Sequence, residues 1–372
     1  MSLAHIAHLT SAHPRDDSRI FHKQCRSLAA GGYDVTLVVA DGKGSEERDG
    51  VTIRDVGRSG GRIARMLGTT RRVYRTAVAL DAAIYHLHDP ELIPAGLQLK
   101  RLGKQVVFDS HEDVPKQLLG KTYLGPLGRR LLPGAFAIAE RHACHRFDGI
   151  VAATPTIRDK FIRINRHTID VNNFPLLGEL GATQADASWS EKRRQVCYVG
   201  GIAASRGARE IVHACALLTS DARLSLAGAP SEPGLMEELR RTGGWSRVDE
   251  LGFVDRAGVR DVMRRSMAGL VTLHPLVNYL DALPVKMFEY MAAGIPVIAS
   301  GFPLWRSIVE GNGCGLCVDP LDPGAIAKAV DFLVTHPDAA RRMGQNGRRA
   351  VLHHYNWSSE EKKLCGFYAA LA

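Results

Sequence analysis

Residues 273–300, LHPLVNYLDALPVKMFEYMAAGIPVIAS, hold one complete architectural unit. An apolar strand end leads through a loop into a helix starting near Pro284, and a second strand follows Gly294. Proline suits the first helical turn, where its missing N–H would be unpaired anyway, and glycine suits the C-terminal cap. Strand, helix and strand in succession form the repeat of a parallel sheet covered by helices.

The same rhythm extends in both directions. Upstream, the strand candidates are AHIAHLT, YDVTLVVA, GVTIRDV, AIYHLHD, KQVVFDS and FDGIVAATP, with helices between them at 21–30, 63–80, 92–101 and 127–145. RQVCYVGG, ARLSLAGA, VDELGFV and AGLVTLH start a second series, with helices at 209–218, 235–242 and 259–265. The reading is an α/β chain of two Rossmann-like, doubly wound parallel-sheet domains. The N-terminal domain covers 1–177, a polar linker 178–194 and the C-terminal domain 195–355; a helical tail over 356–372 can pack back on the first domain. Two such sheets are expected to face each other across a cleft at the carboxyl ends of their strands, where open α/β folds bind ligands.

At 372 residues, 45% hydrophobic and 23% charged, the chain is too long for one ordinary domain and too apolar for a disordered one. Its 48 Lys and Arg exceed 39 Asp and Glu, and the net +9 points to nucleic acid, an anionic membrane or a phosphorylated substrate. Up to Pro175 there are 26 basic and 18 acidic residues, and beyond it 22 and 21, so the excess belongs to the first half. Seven cysteines without framework spacing fit a reducing compartment. Cys314 and Cys317 lack the second pair a tetrahedral metal site needs. Arg15, Asp16 and Asp17 interrupt the N-terminus before a signal-peptide core forms, and no apolar run reaches membrane-spanning length. A cytoplasmic protein is expected, peripheral at the inner face of the cell membrane.

On the helix after Pro284, Glu289 lies one turn from Lys286 and two turns from the loop carboxylate Asp281, so the three can share a pocket. A carboxylate can hold two vicinal ribose hydroxyls, and an ammonium beside a helix N-terminus draws phosphate. A surface Lys–Glu pair beside an incidental Asp is the plain alternative. In CYVGGIAASRGAREI, 197–211, Gly200 and Gly201 form a turn before a helix starting near Gly207. There the backbone can approach a diphosphate, and Arg206 can bond it. The spacing is neither the dinucleotide G-x-G-x-x-G nor a P-loop. No Asp-x-Asp, His-x3-His or His-Glu-x2-His pattern occurs. No metal is therefore expected, and helix dipoles with Arg206 and Lys286 must offset the diphosphate charge.

Taken together, PVKMFEYMAAGIPVIAS, VGGIAASRG and the opening HLTSAHPRDDSRIFHKQCRSLAAGGYDVTLVVADG resemble the GT-B glycosyltransferases of family 4, retaining enzymes often found in bacterial surface-polysaccharide assembly. The resemblance runs in order over nearly the whole chain. It implies that Asp281 and Glu289 occupy the family's E-x7-E positions, with Glu289 on the ribose. Asp281, one methylene shorter than the usual glutamate, meets the donor sugar. Arg206 takes the place of the basic residue that binds the donor diphosphate. Gly201 and Ile202 stand where a second basic residue often follows the strand, leaving Lys286 to compensate. Loops around Gly228, Phe253 and Asp281 set the base and sugar.

His111, after the strand VVFDS, matches a histidine that faces the donor sugar. Asp17 and Arg19 lie in the loop that lines the acceptor side, and His88 and Asp89 either orient acceptor hydroxyls or cap the next helix. The implied reaction moves a sugar from a nucleotide-diphosphate donor to a hydroxyl of a lipid-linked or saccharide acceptor, the departing diphosphate taking the acceptor's proton. No cofactor is implied. A nucleotide-sugar epimerase or hydrolase on the same architecture and a non-catalytic subunit are the alternatives.

The stretch 62–75, RIARMLGTTRRVYR, carries five arginines and no acid, with Ile63, Met66, Leu67 and Tyr74 at helical spacing. Lys121, Arg129, Arg130 and Arg141 follow among apolar residues in 121–146. A basic amphipathic helix reads as a surface for anionic headgroups, so a membrane-borne acceptor is the expected use of the charge. Apolar positions that merely pack on the sheet are the alternative. No helix-turn-helix, RNP-like or zinc pattern accompanies the charge, which argues against nucleic acid.

Overall fold

The computed structural model describes residues 3–61, 65–119, 125–178 and 189–371. Ile63, Lys121 and most of the linker fall outside these residues. The chain divides into two compact units, Met1–Asn173 with Ser358–Ala372, and Phe174–Trp357.

The first unit is built on eight strands: β1 (Leu3–Leu9), β2 (Tyr33–Val39), β3 (Glu46–Arg48), β4 (Val51–Asp55), β5 (Ile84–Leu87), β6 (Gln105–Ser110), β7 (Gly149–Ala152) and β8 (Thr168–Asp170). They lie in the order β3-β4-β2-β1-β5-β6-β7-β8. Every residue of β5 and β7 is buried, as strands covered by helices on both faces require. Every described pairing is parallel except that of β3 with β4. The expected all-parallel sheet therefore gains an antiparallel edge, whose charged residues discourage pairing with another chain. From Ser358 on, the helix Trp357–Leu371 belongs to this unit: Glu360 accepts the Asn172 backbone N–H at 2.7 Å, and the Tyr368 hydroxyl lies 2.5 Å from His86 Nδ1.

The second unit carries β9 (Gln195–Val199), β10 (Arg223–Ala227), β11 (Val248–Gly252), β12 (Ala268–Val271), β13 (Val297–Ser300) and β14 (Gly315–Val318), in the order β11-β10-β9-β12-β13-β14. All pairings are parallel. Successive strands run outward from β9 in one direction and then from β12 in the other, so the order reverses between β9 and β12. The crevice of a doubly wound sheet opens at such a switch point. The helix Val285–Ala292 lies beside it, fixed by the Tyr290 hydroxyl, which accepts the Val199 N–H at 2.9 Å. Pro284 is the N-cap of this helix rather than its first helical residue. Gly294 takes φ +70° just past its end. All seven cysteines are free, Cys314 buried and Cys317 partly so.

Candidate functional site

At the switch point of the second unit, β9 is followed by Gly200 and Gly201, then by the one-turn helix Ala204–Arg206 and the helix Ala208–Leu217. Gly200 has φ +122°, and a Cβ built there would stand 3.6 Å from Lys286 Nζ. Lys286 thus leaves its helix inward, beneath the turn. Its Nζ sits 3.6 Å from the centroid of the Tyr198 ring and is buried without a hydrogen-bond partner among the described residues. The Tyr198 hydroxyl donates to Gly201 O at 2.7 Å. Arg206 lies over the same turn, its Nη1 3.2 Å from where a Gly201 Cβ would be. Two cationic side chains therefore converge on one glycine turn.

Glu289 is buried on the same helix as Lys286 but pairs elsewhere: its Oε1 accepts from Arg256 Nη1 at 2.7 Å. A simple Lys286–Glu289 pair is therefore not what this helix carries. Arg256, from the helix Arg256–Arg265, has no sequence motif to announce it. Asp281 ends the short helix Val277–Leu280, in a loop tethered by the buried Trp305, whose indole N–H donates to Ala282 O at 2.7 Å. Phe253 follows β11 and is 83% exposed. Gly228, after β10, donates its N–H to Gly252 O at 2.7 Å. Gly200, Gly201, Arg206, Lys286 and Glu289 thus gather at the carboxyl end of the central strands.

In the first unit the carboxyl ends of β1, β5 and β6 build a buried polar cluster. His8 of β1 is in register with His86 of β5, and period-two alternation puts His86 and His88 on the same face. Asp109 of β6 is the hub. Arg19 grips it through Nη2 at 2.7 Å and Nε at 3.1 Å, Gln24 Nε2 donates to it at 2.7 Å, and His86, His88 and His111 stand within 3.6 Å. Arg19 also donates to Val171 O at 2.6 Å. His88 Nε2 bonds His8 Nδ1 at 2.9 Å. Burial pushes the His8, His88 and His86 imidazoles down, so they are held neutral. Arg19 and the surrounding imidazoles hold the Asp109 carboxyl well below the carboxylate range, against the opposing effect of burial.

Several acceptor-side expectations change here. Arg19 is 4% exposed with its guanidinium turned inward, so it braces Asp109 instead of lining an open surface. His88 is buried in the histidine stack. Asp89 neither faces outward nor caps the following helix: it accepts from Thr10 Oγ1 and from the N–H groups of Ser11 and Ala12. Asp17 bonds the N–H groups of Arg19 and Ile20 and lies 3.2 Å from His13 Nδ1. His111 alone of the imidazoles on Asp109 is partly exposed, at 20%.

His88 Nδ1, Asp109 Oδ2 and His111 Nε2 are mutually 3.4 Å apart, a spacing a metal could bridge. Arg19 and Gln24 already occupy that carboxylate oxygen, and Arg19 supplies the positive charge a metal would bring. Around Asp109 the cluster forms an ion-paired hydrogen-bond network, while His8 Nε2, Gln24 Oε1 and His86 Nε2 have no hydrogen-bond partner among the described residues.

The basic stretch forms the helix Thr70–Leu80, preceded by the turn Arg65–Thr69. Val73 and Ala77 pack on the sheet, whereas Met66 and Leu67 are exposed, Leu67 by 72%. Two arginines turn inward: Arg65 pairs with Glu91, and Arg72 donates to Val56 O and Gly57 O. Arg71 and Arg75 remain at the surface, as do Arg130, Leu131, Ile138 and Arg141 of the helix Pro126–Cys144. The Arg129 side chain falls outside the described residues. No described helix is long and apolar enough to cross a membrane.

Two family models match the chain side by side: a glycosyl transferase 4-like domain over residues 18–172 and glycosyl transferases group 1 over 182–350. Among characterised proteins, it is similar to an alpha-D-kanosaminyltransferase of Streptomyces kanamyceticus, 26% identical over 62% of each chain. An alpha-maltose-1-phosphate synthase of Mycolicibacterium smegmatis is 27% identical over 66% of this chain and 70% of its own. The match thus spans under two thirds of the kanosaminyltransferase. Among solved structures, the sucrose-phosphate synthase of Thermosynechococcus elongatus superposes with a TM-score of 0.79 at 20% identity, over 99% of both chains. Anabaena HepE, solved with UDP and glucose, gives 0.76 at 12% identity, over 99% of this chain and 100% of its own. These likenesses show a GT-B fold.

Proposed function

The chain belongs to the GT-B glycosyltransferases of group 1, family 4, and from that premise we propose that it is a retaining enzyme moving a sugar from a nucleotide-diphosphate donor to a hydroxyl. The observation that carries the reading is the convergence of Arg206 and the unpartnered Lys286 Nζ on the Gly200 turn, one helical turn from the buried Glu289 carboxylate.

In this reading Arg206 and Lys286 hold the diphosphate with backbone amides of the turn at Gly201, and Glu289 holds the ribose hydroxyls. Phe253 covers the donor from the loop after β11. Asp281 of the second unit meets the donor sugar, a role the family resemblance also gives to His111 of the first, and the leaving diphosphate takes the acceptor's proton on the same face. Asp17 is kept on the acceptor side; Arg19 acts there only through Asp109. HepE was solved with UDP-glucose, which makes UDP-sugars the first donors to try. The acceptor is a saccharide or a lipid-linked saccharide of cell-surface polysaccharide synthesis. Arg71, Arg75 and Leu67 give the first unit an exposed basic and apolar face toward an anionic membrane at its cytoplasmic side.

The test is turnover of UDP- and GDP-sugars with saccharide acceptors, comparing wild type with Glu289→Ala and Arg206→Ala. Loss of turnover in both variants supports the site, and unchanged rates in both would overturn it. A donor whose sugar is epimerised without any acceptor would overturn the transferase reading.

A further inference from the structure

The inference rests on the donor reading of the second unit and concerns its buried lysine. An ammonium has three donors and a full charge to satisfy, yet Lys286 Nζ is buried with no hydrogen-bond partner among the described residues. The groups facing it do not make up the deficit. Arg206, across the turn, is a like charge. Glu289, on the same helix, gives its carboxylate to Arg256 of the helix Arg256–Arg265. From β9 come only the Cys197 thiol and the Tyr198 ring, whose hydroxyl is spent on Gly201 O. The ring face attracts an ammonium, but stripping water from an unpaired ammonium costs more. Burial first and Arg206 second push the Lys286 amine down to about 7.

What Nζ lacks is an anion, and the turn it lies beneath has no side chain at Gly200 or Gly201 to stand between the two. We propose that the nucleotide's diphosphate charges Lys286 on arrival, so that donor binding takes up one proton at this amine. The proton comes from the buffer acid: the amine gains an N–H bond, and no bond of the donor breaks. The site then carries less positive charge when empty than when full. A ligand without a phosphate chain cannot charge the lysine, so the coupling selects for diphosphates over nucleosides. Release of the nucleoside diphosphate after transfer returns the proton.

Calorimetry of the wild-type chain with UDP, GDP, ADP and dTDP at about pH 8, in buffers of different ionisation enthalpy, reads the uptake directly. The nucleotide's own phosphate is fully ionised there, its second pKa lying near ~6. For the nucleotide that binds, uptake of about 0.9 proton is expected, with affinity falling about tenfold between pH 8 and 9. Lys286→Arg, permanently charged, is expected to bind without uptake and with no such fall. Lys286→Met is expected to bind more weakly, also without uptake. Binding by wild type without uptake overturns the proposal while leaving the donor reading intact. Uptake that persists in either variant overturns its assignment to Lys286. If none of the four nucleotides binds, the donor reading fails and the proposal fails with it.

Discussion

Arg256 Nη1 stands 2.7 Å from Glu289 Oε1, which sets a half-exposed cation on the buried carboxylate proposed to hold ribose. Arg256 is half in solvent, so it can turn away into water when two hydroxyls compete for the carboxylate. Glu289→Gln keeps the shape but loses charge-assisted bonds of about 1.5–3 kcal/mol. Donor KM should rise roughly 10- to 100-fold, while the thermal midpoint moves little. Arg256→Ala should change donor KM by less than about threefold. Initial-rate kinetics on the two variants check the pair, and the reverse ranking would transfer the ribose role to Arg256.

Arg19 and Asp109 form the opposite kind of pair, both side chains almost wholly buried. Removing one partner of such a pair leaves an unpaired charge and costs about 3–5 kcal/mol. Arg19→Ala should therefore lower stability sharply in chemical denaturation. Arg19→Lys, which cannot reproduce the two-point grip, should recover only part of it. A fully stable Arg19→Ala with a raised acceptor KM would restore the acceptor-binding role.

The histidine stack makes the first unit acid-sensitive. His8, His86 and His88 have lowered pKa values in the folded state, so below pH ~6.5 the unfolded chain binds more protons than the folded one. Stability is present in full above the unfolded value and declines as pH falls toward the folded values, by up to about 1.4 kcal/mol per pH unit for each histidine. Asp109 contributes the same sign but only below pH ~4, since its carboxyl is held well down. Denaturation at pH 7.5 and 5.5 should show the loss, and His8→Phe should show a shallower one. A flat profile would mean that the imidazoles are not held neutral.

Most of the second unit was readable from sequence because its strands are short apolar runs and the groups proposed to hold the donor are close in sequence: Gly200 with Arg206, and Lys286 with Glu289. The first unit's polar cluster was not. Arg19 and Asp109 are 90 residues apart and meet only because β1 lies two strands from β6. AIYHLHD does carry a signal, since alternation puts both its histidines on one face, but their partner His8 follows only from knowing that β1 neighbours β5. Strand β3, Glu46–Arg48, is too short and polar for any apolar run to mark. Arg256 was missed for the same reason that Arg19's pairing with Asp109 was, being 33 residues from the carboxylate it meets.

Because Arg19 meets the charge of Asp109, dialysis against EDTA should leave turnover within about twofold, with no gain on adding Mg²⁺, Mn²⁺ or Zn²⁺. Metal content after purification and rates before and after chelation are the measurements. Restoration of a lost rate by one ion would convert the His88, Asp109 and His111 triangle into a metal site.

Gly207 and Gly234 provide a matched pair for testing the glycine turn. Their φ angles are +78° and +76°, so an alanine suffers the same backbone strain at either, of about 1–2 kcal/mol. They differ in what the added methyl meets: at Gly207 it would stand 2.1 Å from Thr272 O, whereas at Gly234 nothing lies within 4 Å. The Thr272 carbonyl follows β12 at the switch point, so it cannot retreat without moving the sheet edge. The chain around residue 207 must shift instead, carrying Arg206 with it. Gly234→Ala should therefore lose only the strain, with donor KM unchanged, while Gly207→Ala should lose more stability and raise donor KM at least about tenfold. Equal effects in denaturation and kinetics would mean that the turn tolerates displacement and that Arg206 need not hold its place.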